Sequence, residues 1–301
     1  MGHPPTPCTF AKATKPHQEH PESNRDSLLT DQESRLAVIC DGVGDVMGAG
    51  QAARLAARTI KKRWQDLLTP DAEPDLADVL QQLLEEANRA VLALGMRLAK
   101  KEQKTDKDGK HTHYAETTIA LALLYPHGDG YLMAYAHVGD SRVYLLRRDE
   151  PIQRLTVDDG YFTWIMGKGE LNEQDALRID QASRAEELTE EERAHFDMRN
   201  GISQSLGSEG LTFHLGQIEI CPNDRILLCT DGIHDNLTDA EIERILRAGA
   251  RTTVAKKLLQ QAVERSQQDD KVHIRAKKDD MSAIVITCHF SRFLIHKIQR
   301  L

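Results

Sequence analysis

The chain of 301 residues carries 47 acidic against 39 basic side chains, a formal charge of -8, which argues against a dedicated nucleic-acid binder because phosphate backbones need a basic face. That length can bury a full core as one large domain or one domain with an insertion. No stretch approaches the roughly 20 apolar residues of a membrane span, and the first residues lack a signal-peptide apolar core, so the expectation is a soluble cytoplasmic protein with no membrane partner.

Residues 1–23, rich in Pro, His and Thr, read as a poorly ordered, flexible leader running into a first edge strand. Residues 35–41 form an apolar strand. Helical spacing follows: Ala52, Leu55, Ala56, Ile60 and Trp64 share a face over 48–68, as do Leu76, Val79, Leu80, Leu83, Ala87, Val91, Leu94 and Leu98 over 75–100. Both stripes are core faces. The segment 101–114 (KEQKTDKDGKHTHY) mixes charges of both signs around a glycine and reads as a solvated loop. Strand texture resumes at 118–125 and 131–138, joined through His127-Gly-Asp-Gly130 as a hairpin, and continues at 142–148. Residues 160–198 are polar, helical in pattern and poor in core residues, as a surface flap would be. Strands at 211–220 and 225–230, helices at 239–248 and 253–267 and a last strand at 281–290 complete the pattern, leaving 291–301 as a tail. Strands gathered in runs, with two long helices between early ones, indicate antiparallel sheets covered by helices rather than a βαβ repeat. The cysteines (Cys8, Cys40, Cys221, Cys229, Cys288) are scattered, three of them inside apolar runs, as reduced core residues of an intracellular protein are.

Four aspartates stand where an apolar run meets a turn. Asp41 follows Leu36-Ala-Val-Ile-Cys40, Asp140 follows Met133-Ala-Tyr-Ala-His-Val138, Asp231 follows Ile226-Leu-Leu-Cys-Thr230, and Asp279 precedes Ser282-Ala-Ile-Val-Ile286. One such Asp is an ordinary turn residue; the recurrence is what matters. Buried strands that deliver carboxylates to one sheet end build a site for hard divalent cations, because Mg2+ and Mn2+ prefer oxygen and offset the carboxylates' repulsion. Two ions bridged by shared carboxylates can turn water into a nucleophile. Histidine offers no rival centre, since His3, His17, His20, His111, His113, His127 and His137 share no Cys/His ligand spacing and most lie in polar stretches. Ser141 and Arg142 read as strand ties, no His-Asp series accompanying Ser141 as a triad would require.

Taken together, Asn24-Arg-Asp-Ser27, Asp41-Gly-Val-Gly44 with Gly48 following, Thr117-Thr118, Gly139-Asp-Ser-Arg142, Leu155-Thr-Val-Asp158, Thr230-Asp-Gly-Ile233 and Asp279-Asp-Met-Ser282 resemble, in order and spacing, the metal-dependent type 2C Ser/Thr protein phosphatases, bacterial-type members above all. The resemblance runs from Asn24 to Ile286. It implies an α+β fold, a four-layer αββα sandwich of two central antiparallel sheets flanked by helices, in a domain spanning 24–290 with the flap at 160–198. It also implies hydrolysis of phosphoserine and phosphothreonine by a water bridging two Mn2+ or Mg2+ ions. Carried over by position, Asp41 would bridge the ions and the Gly42 carbonyl would bind one of them. Asp231 and Asp279 would complete the first ion's shell, Asp26 would bind the second or orient its waters, and Asp140 would hold a weaker third ion. Asp41 and Asp26 are thereby the expected catalytic carboxylates. Asp158 matches an acidic position beside the flap, and His195 a histidine just before the segment 199–202. The implied partners are phosphoprotein substrates, opposing a Ser/Thr kinase, with the chain acting as a monomer.

The sequence departs from that family at several points. Relatives place an Arg shortly before the first metal-site Asp to grip the substrate phosphate, and residues 11–24 contain none. Arg25 is a poor substitute in an extended segment, where residues 25 and 26 point to opposite faces. Lys15 or Lys12 would then serve as a point charge in place of a bidentate fork. Asp45 replaces a second Gly, Glu116 a small Gly before Thr117, and Asp280 a residue commonly Asn. Two alternatives remain: a catalytically weak phosphatase-like regulator that binds phosphoproteins, and another two-metal enzyme such as a phosphodiesterase. The intact aspartates count against the first, and the acidic surface counts against nucleic-acid substrates of the second.

Overall fold

Alternation along the strands sorts the core into layers. In β3 (Leu36–Cys40) every side chain is buried, Leu36, Val38 and Cys40 toward the helices α1 (Ala49–Leu67) and α2 (Leu76–Glu102), Ala37 and Ile39 toward the opposite sheet. A run with both faces covered cannot alternate with polar residues, and this one does not. The computed structural model describes residues 8–44, 48–68, 74–102, 115–128, 130–269 and 272–290. Asp45, most of the expected loop (103–114), the first part of the expected leader (1–7) and the expected tail (291–301) lie outside the described residues.

Among the described residues the strands form two five-stranded antiparallel sheets. One runs β2 (Ser27–Asp31), β3, β4 (Ile119–His127), β5 (Gly130–Val138), β8 (His214–Ile220); the other runs β1 (Cys8–Lys15), β10 (Met281–Cys288), β9 (Arg225–Cys229), β6 (Arg142–Leu146), β7 (Gln153–Arg154). Between them pack Ile39, Ala122, Met133, Val143, Ile226, Leu228, Ile284 and Ile286. The outer face of the second sheet, with Tyr144, Leu227, Cys229 and Val285, is covered by α7 (Asp239–Ala248) and α8 (Val254–Ser266). This is the four-layer α+β sandwich expected. The inner stripe of α1 is mostly alanine (Ala49, Ala52, Ala53, Ala56, Ala57), which lets the helix lie close on the sheet, and Trp64 at its far end donates its indole N–H to the Ser34 carbonyl at 2.9 Å.

The predicted hairpin forms in register, His127 pairing with Gly130, and Gly128 takes φ +53°, a left-handed conformation that costs glycine little. The edge strand expected after the leader proves to be two, one at the edge of each sheet. Cys8–Lys15 is no flexible leader: it pairs along β10 from Cys8 opposite Cys288 to Lys15 opposite Met281. Its half-polar face belongs to an edge strand, which buries only alternate residues and so presents a weak apolar signal. β2 is short and only half-buried throughout. The flap is likewise more than surface. Its helices α3 (Tyr161–Gly167), α4 (Glu173–Asp180) and α5 (Glu190–Asp197) enclose a small core of Ile179, Ala182 and Phe196 against Ile274. Arg275, fully buried, fastens the flap by donating to the carbonyls of Asp180, Ala182 and His234, where α6 (Asp231–His234) ends. Nothing in the local pattern of residues 272–280 announces a buried arginine.

Candidate metal centre

The ends of β3, β5, β9 and β10 bring Asp41, Asp140, Asp231 and Asp279 to the lining of one cleft of about 570 Å3. Asp41 is fixed through its backbone. The Asp41 carbonyl accepts from Thr118 N at 2.8 Å and Thr117 Oγ1 at 2.7 Å, while Asp41 N donates to Thr118 Oγ1 at 3.1 Å. Thr118 Oγ1 in turn meets Ser141 Oγ at 2.7 Å, coupling the Asp41 turn to the Asp140 turn. Ser141 is thus a tie, as its sequence context suggests. Gly42 is forced by proximity: a Cβ there would lie 2.7 Å from the Ala49 carbonyl carbon, where α1 begins. The same holds at Gly232, whose Cβ would fall 2.0 Å from the Asp280 carbonyl oxygen. Asp231 therefore opens α6 directly against the segment that carries Asp279. Asp26, just before β2, joins the group from below, accepting from Thr230 Oγ1 at 3.0 Å.

Such crowding is electrostatically costly without a cation. Burial, followed by the charges of Asp26, Asp231, Asp279 and Asp140, pushes the Asp41 carboxyl well above the usual carboxylate range. Burial and then the neighbouring Asp280 and Asp231 outweigh hydrogen bonds from Ser282 and Thr230 at Asp26, which is pushed up to about 8. Asp140 is raised by burial and by Asp231 and Asp158. Moreover Asp26 Oδ1 and Asp231 Oδ1, though buried, accept no hydrogen bond from the protein. An all-oxygen donor set with unsatisfied carboxylate oxygens and a backbone carbonyl fits Mg2+ or Mn2+ and does not fit a thiolate- or imidazole-seeking ion.

The departures acquire physical roles. Asp280, where Asn is expected, accepts the backbone N–H of His17 at 2.6 Å on Oδ1 and of Arg25 at 2.8 Å on Oδ2, two bonds that need two acceptor oxygens. It thereby holds the segment that delivers Asp26. Glu116 accepts from Ser205 Oγ at 2.9 Å. The cations of the cleft wall are Arg25 and Lys278, with His17 and His20 beside them. Lys15 does not line the cleft: it ends β1, opposite Met281. Residues 25 and 26 do part company: Asp26 is buried, while Arg25 lines the cleft with its guanidinium donating to the Gly44 carbonyl at 2.9 Å.

Asp158 and His195 are placed elsewhere. Asp158 pairs with Arg142, whose Nε lies 3.0 Å from both carboxylate oxygens. His195 Nδ1 meets Tyr161 Oη at 2.8 Å, joining α5 to α3. Residues the sequence reading missed include Lys277, Asp235 and Arg199, which border the aspartate cluster. Pairing of β5 with β8 also brings His137 and His214 beside Asp159, the two rings stacked at 4.7 Å and 21°. Nearly parallel rings direct their lone pairs alongside one another rather than to a common point, and His214 Nε2 is already paired to Asp159 Oδ1 at 2.7 Å. A second concavity, of about 420 Å3, opens at the other end of β6 and β9 and is lined by Arg147, Arg148, Arg225 and Arg247, with no carboxylate among its described lining residues.

Comparison with known proteins places this geometry. A family model described as Protein phosphatase 2C matches residues 15–266. The serine/threonine phosphatase stp of Listeria innocua is 22% identical over 232 residues, covering 77% of this chain and 79% of the relative. PstP of Mycobacterium tuberculosis, a serine/threonine protein phosphatase, is 25% identical over 241 residues, 80% of this chain and 39% of its own length. Among solved structures, the M. tuberculosis phosphatase PstP/Ppp superposes with a TM-score of 0.68 at 20% identity, over 94% of this chain and 99% of that one. The PstP catalytic domain in complex with two manganese ions gives 0.66 at 21%, over 94% and 99%.

Proposed function

The chain belongs to the protein phosphatase 2C family and is a metal-dependent serine/threonine protein phosphatase, and we propose that its chemistry is carried by Asp26, Asp41, Gly42, Asp231 and Asp279, with Asp140 as a weaker outer ligand. What supports this assignment most is the convergence of buried carboxylates on one cleft wall with oxygens that no protein donor satisfies. When bound, two Mn2+ or Mg2+ ions supply Lewis acidity, drawing the pKa of water toward neutrality and screening the charge of the phosphate. Asp41, on which the charges of Asp26, Asp231, Asp279 and Asp140 all act, is the carboxylate we assign to both ions. Thr118 and Ser141 keep its turn and that of Asp140 in mutual register. Asp280 sets Asp26 against the cluster.

Arg25 and Lys278 hold the phosphate of a phosphoserine or phosphothreonine in this reading, replacing the missing family arginine. Arg25→Ala should raise KM for a phosphothreonine peptide about tenfold or more and leave kcat nearly unchanged, because a charge-assisted contact made equally in ground and transition states is uniform binding. Lys15→Ala should move neither constant. The reverse result would return the role to Lys15.

Phosphate release from a phosphothreonine peptide, with Mn2+ present or chelated, tests the whole reading. Activity should appear with millimolar-range Mn2+ and vanish in EDTA; full activity in chelator would sink it. We read the protein as a cytoplasmic monomer acting on phosphoproteins in opposition to a Ser/Thr kinase. Its free, mostly buried cysteines suit a reducing compartment. No described helix is long and apolar enough to cross a membrane.

A further inference from the structure

We propose that Lys277 is a built-in counter-cation of the metal cluster, whose ammonium group holds Asp231, Asp235 and Asp279 together without a metal and weakens the binding of a divalent cation by Asp231 and Asp279. The inference rests on the reading of Asp231 and Asp279 as ligands. Lys277 Nζ lies 2.6 Å from Asp231 Oδ2, 2.7 Å from Asp235 Oδ2 and 3.1 Å from Asp279 Oδ2. An ammonium has three N–H donors, so each carboxylate can take one.

The position is imposed by the backbone. Asn236, fully buried at the end of α6, accepts the Lys277 N–H on Oδ1 at 3.1 Å and donates Nδ2 to the Lys277 carbonyl at 2.9 Å. Its amide fork fixes residue 277 at both polar atoms. Asp235 is fixed as well, buried and within 3.7 Å of Arg199 Nε. The lysine is therefore part of the site and not a surface side chain folded in by chance.

Ligand accounting gives the consequence. Both oxygens of Asp279 are engaged, Oδ1 by the Asp280 N–H at 2.8 Å and Oδ2 by Lys277. Asp231 keeps Oδ1 without a protein donor and gives Oδ2 to the lysine. A divalent ion at these two residues must displace the ammonium from Asp279 or bind close to a fixed positive charge, and either lowers affinity. In return the metal-free protein has a positive charge in direct contact with Asp231, Asp235 and Asp279 at once. Occupancy, and with it phosphatase activity, then follows divalent-cation supply instead of being saturated at all times.

Calorimetric titration of the full chain with MnCl2 tests this, on wild type, Lys277→Met and Lys277→Arg, with thermal unfolding in EDTA alongside. Lys277→Met should bind Mn2+ about tenfold tighter or more at the affected site and have a lower Tm in EDTA. Lys277→Arg, which keeps the charge, should stay weak. Equal affinities within twofold, or weaker binding by Lys277→Met, would overturn the proposal. Should Lys277→Met fail to fold in EDTA by circular dichroism, Lys277→Gln decides by the same criterion. If wild type and variants alike bind no Mn2+, the metal reading itself falls; if all bind equally, only the role of Lys277 does.

Discussion

Asp41→Asn should lower turnover of a phosphothreonine peptide by at least about 10^3-fold, equivalent to about 4 kcal/mol of transition-state stabilisation. Asp41 lies among Asp26, Asp231, Asp279 and Asp140, whose charges all act on it. In the assignment proposed above, the substitution removes a shared ligand's charge and geometry together. The metal-free protein should tolerate the change. Because burial and the surrounding carboxylates raise the folded-state pKa of Asp41, and push that of Asp26 up to about 8, the folded state binds protons more tightly than the unfolded state. Stability in EDTA should accordingly fall as pH rises from about 4 toward about 8, the direction set by more protons bound to the native state. An amide at position 41 is neutral throughout, so Asp41→Asn should flatten that fall. Saturating Mn2+ should suppress it in wild type. Urea titrations at several pH values measure each of these, and a wild-type stability in EDTA that is flat or rising over the range would show that the cluster is not electrostatically strained.

Arg142→Ala should cost about 3–5 kcal/mol of folding stability, the range for removing one partner of a buried ion pair. Arg142 is 2% exposed, binds Asp158 through Nε and Nη2, lies 3.4 Å from Asp180 and donates to Tyr144 Oη at 3.2 Å. Burial alone would drive the Asp158 and Asp180 carboxyls upward, but Arg142, with Arg154 and for Asp180 also Arg275, holds both below their usual range. Without the guanidinium those two carboxylates are left buried and underpaired, with Arg154 only partly in reach at 3.9 and 3.5 Å. Denaturant unfolding in EDTA separates this from any effect on metal binding. A loss below about 1 kcal/mol would mean the pair contributes little beyond what it costs to desolvate. Since Asp158 precedes the flap and Asp180 ends α4, the same substitution should also loosen the flap from the sheet, visible as faster amide exchange over residues 161–197.

The four recurrent aspartates and the continuous apolar runs of β3, β4, β9 and β10 were legible from the chain itself. Local pattern reports such things well, because a strand buried on both faces must be apolar throughout and a carboxylate at its end breaks the pattern visibly. The layer order follows once two amphipathic helices are seen to need a sheet to cover. The resemblance carried by Asp41-Gly-Val-Gly, Gly139-Asp-Ser-Arg and Thr230-Asp-Gly-Ile added which ends would meet. What the chain could not disclose alone was everything that depends on neighbours distant in sequence. β1 is a strand because β10 pairs with it, Arg275 is buried because the flap supplies carbonyls to receive it, and Asp280 takes two N–H groups from residues more than 250 positions away. Arg25 faces the cleft while Lys15 does not, a difference set by the position of each segment against the sheet end. Lys277 reads in sequence as one more solvated cation two residues before Asp279. Only the Asn236 amide that clamps its backbone, and the three carboxylates that converge on its ammonium, turn it into part of the site, since electrostatic function resides in distances between groups and tertiary packing alone sets those distances.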